Sequence, residues 1–77
     1  MEVAAVRVKV ADHVYRMNRD GFRALLTVAS EQVPFGIYAV EKDGYAELMN
    51  RHCDSRRQLK EARRGLREQG FRVYANG

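Results

Sequence analysis

The chain has one cysteine, one proline, no tryptophan and no long apolar run. A single cysteine excludes an intramolecular disulfide framework and is typical of reducing compartments. No stretch approaches the roughly 18 apolar residues that a membrane-spanning helix needs. The 77 residues leave no room for a buried active-site cavity beside a core, so we expect one small cytoplasmic domain over residues 1–77, without membrane association.

Residues that could carry catalysis are also scarce. No glycine-rich phosphate loop, G-x-S-x-G or paired-carboxylate motif occurs. His52 and Cys53 are adjacent, so in an extended or turn segment their side chains point in different directions and His52 is a poor base for Cys53. Two histidines and one cysteine are too few for a structural zinc site. We therefore expect a protein that is not an enzyme, with no metal or cofactor, and a helix cap at Asp54 or Ser55.

The first half of the chain predicts two strands and a helix. Valine alternates with basic residues over 6–10, and residues 13–17 resume the alternation, which is the pattern of half-buried strands. Asn18 or Asp20 can cap the following helix, whose apolar residues recur at helical spacing. Pro34 ends the helix, because proline has no amide hydrogen to donate to the helical hydrogen-bond pattern.

The second half predicts a hairpin, a helix and a last strand. Two alternating runs in residues 35–50 flank Asp43-Gly44, a pair suited to a two-residue turn with positive φ. This pairing places Val40 opposite Glu47. The S-x-x-Q spacing that begins at Ser55 is a capping box for the next helix, Gly70 ends that helix, and residues 71–75 form the last strand.

The hairpin register sorts its side chains onto two faces. We assign the core to Phe35, Ile37, Ala39, Ala46 and Leu48. The opposite face is predicted to be open and amphipathic, and it suits either bases stacking on its tyrosines or a homodimer or partner interface, unless the N-terminal segment covers it. Its residues are Tyr38, Val40, Tyr45, Met49, Arg72 and Tyr74.

Two short sequences recur along the chain. Met-Asn-Arg occurs at 17–19 and 49–51, each time at the end of a predicted strand and just before a predicted helix. Glu-Gln followed by a strand that begins with Phe occurs at 31–39 and 68–75. Each half then reads as strand, helix, strand, by duplication or by shared packing demands. The predicted fold is α+β, (β)βαββαβ: a mainly antiparallel five-stranded sheet with two helices on one face, a ferredoxin-like split βαβ with an extra N-terminal strand. The position of that extra strand is open.

The predicted second helix carries the entire net charge of +4. Residues 55–69 hold six of fourteen basic residues and two acids. On an ideal helix the six cations fill one arc of about a third of the circumference, which suits contact with phosphates. A solvated helix face is the alternative. The six are Arg56, Arg57, Lys60, Arg63, Arg64 and Arg67.

These features lead to two hypotheses of function. The first is a small binding module whose second helix contacts nucleic-acid phosphates without strong sequence selectivity. The second is a protein-interaction module, an inhibitor or adaptor, that meets an acidic surface with the helix or an apolar surface with the tyrosine face.

Overall fold

The computed structural model describes residues 5–77 and confirms an α+β architecture. The first four residues of the predicted domain lie outside the described part. The elements are β1 (Val6–Val10), β2 (His13–Met17), α1 (Arg19–Gln32), β3 (Gly36–Lys42), β4 (Tyr45–His52), α2 (Arg56–Glu68) and β5 (Arg72–Asn76).

Local signals in the sequence place the helix ends and the hairpin turn as expected. Asn18, and not Asp20, caps α1 by accepting a hydrogen bond from the Gly21 amide at 2.8 Å. Ser55 caps α2 by accepting from the Gln58 amide at 3.2 Å. Asp43 and Gly44 both have positive φ, 51° and 76°, as a tight hairpin turn requires.

The sheet is mixed, with strand order β2-β1-β4-β3-β5. Three pairings are antiparallel, and β1 runs parallel to β4. The predicted register of the β3–β4 hairpin is confirmed, since Val40 lies opposite Glu47. The ferredoxin-like arrangement is not confirmed, because β1 occupies the place beside β4 and β5 lies at the far edge beside β3.

The prediction that both helices cover one face of the sheet is wrong. Leu48 and Met49 are neighbours on β4 and therefore point to opposite faces. Leu48 packs in a cluster with Phe22, Leu25 and Leu26 of α1. Met49 packs in a second cluster with Leu59 and Leu66 of α2. The sheet thus has two small cores, one under each helix.

An irregularity in β3 changes which side chains share a face. The pairing of β3 with both neighbours shifts between Ile37 and Ala39. Tyr38 is the extra residue of a β-bulge against β5, whereas two residues of β4 lie opposite it on the other side. Ile37 then joins Val40 in the α2 core. The predicted core face, which grouped Ile37 with Ala39 and Leu48, is therefore divided between the two sides of the sheet.

The repeated Met-Asn-Arg sequence does not mark equivalent positions. Asn18 caps α1, whereas Asn50 lies inside β4, which continues to His52. The cap of the second helix is Ser55, five residues beyond Asn50. The prediction that both copies lie just before a helix is wrong for the second copy.

Gly36 is predicted to be indispensable for the β3–β4 pairing. Its φ is +135°, and a Cβ at this position would lie 2.0 Å from the backbone oxygen of Arg51. We expect Gly36→Ala to lower the free energy of unfolding by more than about 3 kcal/mol or to prevent folding. Chemical denaturation followed by circular dichroism measures this.

Gly65→Ala is the matched control. Gly65 lies within α2, and an added Cβ there would meet open space. The same change should therefore raise the free energy of unfolding by roughly 0.5–1 kcal/mol. Equal losses in both variants would contradict the assignment of a close backbone contact at Gly36.

Candidate nucleic-acid interface

Helix α2 presents its cations on a well-anchored scaffold. The Ser55 cap fixes its start. At its end, the Gly70 amide donates to the Arg67 carbonyl and the Phe71 amide to the Leu66 carbonyl, each at 3.0 Å. These two hydrogen bonds, together with the positive φ of +91° at Gly70, form a Schellman motif. Leu59 is buried against Ile37 and Val40, which holds the opposite side of the helix toward solvent.

One side of the predicted cationic arc is neutralised by acids. Arg57 pairs with Glu61 at 3.4 Å, and Arg64 pairs with Glu68 at 3.9 Å. Both pairs have i, i+4 spacing, so they form one line along the helix. We call these four residues the paired stripe.

The other side of the arc forms no ion pair with the described residues. Its residues follow at intervals of four, three and four, so they form a second line about 16 Å long on an ideal helix. Within residues 5–77 none of them has a carboxylate within ion-pair distance. We call this line the cationic stripe; it consists of Arg56, Lys60, Arg63 and Arg67.

Arg63 has an unsatisfied donor in this stripe. Its Nε is buried and has no hydrogen-bond partner. A buried guanidinium nitrogen without an acceptor is unfavourable, so this position of the Arg63 side chain carries an energetic cost. The surface depression at this point, about 430 Å³, is lined by Lys60, Arg63, Arg64, Arg67 and Glu68.

The cationic stripe lies on the flank of α2 that faces away from β4. Glu61 and Ala62 share a concavity with Arg51 and His52 at the end of β4. On an ideal helix, Lys60 and Arg63 lie on the flank opposite to Ala62, across the buried leucines. The stripe is therefore turned toward β5, the edge strand.

Helix α1 does not resemble α2 in charge. Its two cations are Arg19 and Arg23, and the Arg19 guanidinium pairs with the Glu41 carboxylate at 2.7 Å. Of the two cations of α1, Arg23 alone has no ion-pair partner within the described residues.

The predicted tyrosine face is not a single surface. Val40 is buried and Met49 half-buried beneath α2. Tyr74 packs on the other side of the sheet, where its ring meets Phe22 edge-on at 5.9 Å, and Tyr38 lies beside it at 6.3 Å. Tyr45 remains exposed on the α2 side, whereas Arg72 lies in register with Glu41 on the α1 side. The bulge and the second helix divide the six residues, so the predicted partner or dimer face is wrong as a contiguous patch.

A buried carboxylate network was missed by the sequence reasoning. Glu41 is 7% exposed, pairs with Arg19 and accepts a hydrogen bond from the Tyr74 hydroxyl at 2.9 Å. It ties the start of α1 to β3 and β5. An alternating run that places Glu41 between Val40 and Lys42 gives no signal of burial, because the partners come from distant segments.

The His52-Cys53-Asp54 segment follows β4 as a loop. The Cys53 thiol is free and half-buried in the α2 core, and its amide donates to the Phe35 carbonyl. The Gln58 side chain accepts from the Asp54 amide at 2.9 Å, so the reciprocal arm of the capping box reaches Asp54 and not Ser55. Across residues 5–77, His, Cys, Asp and Glu side chains do not gather in threes that could hold a metal.

No family model, curated protein or solved structure matches this chain. Within the described residues, neither helix has the length and apolar character needed to cross a membrane. The geometry of the site is therefore what a functional proposal has to rest on.

Tyr74→Phe tests the Glu41 network. Loss of the hydroxyl removes one hydrogen bond to a buried carboxylate, so we expect the free energy of unfolding at pH 7 to fall by about 1–2 kcal/mol. Burial, and then the hydrogen bond to Glu41, raise the pKa of Tyr74 above its ordinary value of 10.0. The phenol therefore ionises more readily in the unfolded chain, and the wild type loses stability as the pH rises from about 10 through the raised pKa.

The difference in the free energy of unfolding between wild type and Tyr74→Phe should accordingly shrink above about pH 10. Tyr45→Phe is the control, because Tyr45 is exposed. It should change the free energy of unfolding by less than about 0.5 kcal/mol at pH 7. Urea titrations at pH 7 and above about pH 10 measure these free energies of unfolding. A difference between wild type and Tyr74→Phe that stays the same at both pH values would contradict the assigned role of Tyr74.

Proposed function

We propose that this protein is a small cytoplasmic binding module, without catalytic activity, that contacts nucleic-acid phosphates through α2. The observation that carries the proposal is the cationic stripe, which forms no ion pair within residues 5–77 although the paired stripe shows that acids are available on the same helix. Arg57 and Arg64 are engaged by those acids, so we assign them a secondary role.

Phosphates suit this stripe better than other anions do. A nucleic-acid backbone presents charges in a regular row, and each phosphate that is neutralised releases condensed counterions. Three of the four residues are arginines, whose guanidinium groups donate two hydrogen bonds at once to a phosphate.

An acidic protein surface is the second candidate partner for the same stripe. It would meet the same charges with carboxylates, and it would bring no release of condensed counterions from a polyelectrolyte. The tyrosine face no longer supports a protein-interaction module, since its residues are divided between the two sides of the sheet.

Removing two cations of the stripe tests the proposal. Four phosphate contacts predict a slope of about −3.6 in a plot of log affinity against log salt on duplex DNA, at about 0.9 per contact. Lys60→Gln with Arg67→Gln should reduce the magnitude of that slope to about 1.8 and weaken binding at low salt. Fluorescence anisotropy titrations at several salt concentrations measure both quantities.

The matched control removes the same net charge from the paired stripe. Arg57→Gln with Arg64→Gln should leave the slope close to that of the wild type, because Glu61 and Glu68 already occupy these arginines. If both double variants weaken binding equally, net charge and not the stripe determines affinity. Binding to poly-glutamate but not to DNA or RNA at low salt would favour the acidic protein surface.

A further inference from the structure

A cavity of about 410 Å³ lies between α1 and the edge strand β5. Its volume is within the range of about 300–1,000 Å³ that is usual for small-molecule sites. Its apolar residues belong to the α1 core, so it opens on the face of the sheet opposite to α2. The residues that line it are Arg19, Phe22, Arg23 and Leu26 of α1 and Arg72 and Tyr74 of β5.

Helical spacing brings the lining residues of α1 to one side of that helix. On an ideal helix, positions 19, 22, 23 and 26 fall within an arc of about 100°. Phe22 and Leu26 pack in the α1 core, where the Phe22 ring meets the Tyr74 ring edge-on. Arg19 and Arg23 are about one turn apart and both are exposed. The cavity therefore has an apolar floor and a cationic rim.

The Glu41 carboxylate beside this cavity is already engaged. One of its oxygens pairs with the Arg19 guanidinium at 2.7 Å, and the other accepts from the Tyr74 hydroxyl at 2.9 Å. Arg72 lies directly opposite Glu41 in the register of the sheet, yet within residues 5–77 it forms no ion pair. Arg19 is thus neutralised, whereas Arg23 and Arg72 leave the cavity with an excess of two positive charges.

Arg72 lies beside the Tyr74 hydroxyl at the wall of the cavity. The two residues are separated by one position on β5, so they share a face of the sheet. Burial, and then the hydrogen bond to Glu41, raise the pKa of Tyr74, and the Arg72 guanidinium beside the hydroxyl opposes that rise. Arg23 reaches the same cavity from α1. An anion bound there would meet guanidinium groups from two different elements.

A phosphate monoester suits such a pair of guanidinium groups. At pH 7 it carries about −1.5 to −2 charges, and its three free oxygens can accept from two arginines at once. A carboxylate has one charge and two oxygens, which the fork of a single arginine satisfies. A phosphodiester of a nucleic-acid backbone also has only one charge. The two excess positive charges of the cavity are therefore best matched by a phosphate monoester.

We propose that the cavity between α1 and β5 binds a small organic phosphate monoester, whose phosphate is held by Arg23 and Arg72 and whose apolar part rests on Phe22 and Leu26. This site lies beyond the function proposed for α2 and does not depend on it, because the two surfaces occupy opposite faces of the sheet.

Phenyl phosphate is the probe for this site, because it joins a phosphate monoester to one apolar ring. Titrated into isotope-labelled protein and followed by NMR, it should shift the backbone amide signals of residues 19–26 and 72–74. It should bind severalfold more tightly than inorganic phosphate, which lacks the ring, and than benzoate, which lacks the second charge. Arg23→Gln with Arg72→Gln should weaken its binding at least about tenfold.

Arg7→Gln with Arg16→Gln is the matched control, since it removes the same charge from exposed residues. Arg7 lies between Val6 and Val8, which pack in the α1 core, so it points to the other face of the sheet. Arg16 lies opposite Arg7 in the register and shares that face. At about 0.1 M salt this variant should bind phenyl phosphate like the wild type. Equal weakening in both double variants would overturn the inference in favour of net charge.

Other outcomes would also overturn the inference. One is wild-type affinity for phenyl phosphate in Arg23→Gln with Arg72→Gln, whose exposed positions should leave the fold intact by circular dichroism. Another is binding of inorganic phosphate or benzoate as tight as that of phenyl phosphate. A third is tighter binding at the same amides by an oligonucleotide with a terminal phosphate, which would replace the small molecule by a strand end.

The two proposals fail separately. Lys60→Gln with Arg67→Gln should retain wild-type affinity for phenyl phosphate, because these residues lie on α2. Loss of phenyl phosphate binding in that variant would overturn the site on the α1 side. Absence of nucleic-acid binding by a wild type that binds phenyl phosphate as expected would overturn the function of α2 and support the separate site.

Discussion

The parallel pairing of β1 with β4 determines where every other element lies. It gives β1 the place beside β4, so β2 becomes the edge strand on that side and β5 pairs with β3 at the far edge. From these pairings, β2 and β3 run in one direction, and β4 and β5 run in the other. The connection through α1 joins β2 to β3, and the connection through α2 joins β4 to β5. These two connections therefore start from strands of opposite direction, but both move toward the β5 edge of the sheet.

The handedness of crossovers then requires helices on both faces. Connections between parallel strands of one sheet are almost always right-handed. Two right-handed crossovers that advance in the same direction from oppositely directed strands must pass on opposite faces, as α1 and α2 do. Had β5 paired beside β2, the second crossover would have advanced the other way and the helices would have shared one face. A single difference in strand order thus accounts for the error about the helices.

The sequence predicts what neighbouring residues decide. The turn at Asp43-Gly44, the caps at Asn18 and Ser55 and the register of the hairpin all depend on short-range geometry, and each agrees with the structure. The strand order depends on whether β1 or β2 pairs with β4. Both strands have similar alternating patterns, so the sequence does not distinguish the two pairings. The bulge at Tyr38 depends on how β3 fits two partners at once, which no pattern in β3 itself reveals.

In the candidate site, too, the features set by local spacing could be predicted, and those set by distant contacts could not. The cationic arc of α2 could be predicted from helical spacing, and the two ion pairs could also have been, since Arg57 and Glu61, and Arg64 and Glu68, are four residues apart. Those pairs reduce six cations to a stripe of four. The burial of Glu41 could not be predicted, because its partners Arg19 and Tyr74 come from distant segments of the chain.

The cationic stripe places like charges together, and this has a consequence for the free protein. Its cations repel one another, and salt at 0.1 M, where the Debye length is about 10 Å, largely screens the repulsion between cations that are farther apart than that. Salt also weakens the attraction between a cationic surface and phosphates. The proposed phosphate contact therefore predicts two opposite effects of salt: added ions lessen the repulsion in the free protein, and they weaken the proposed complex.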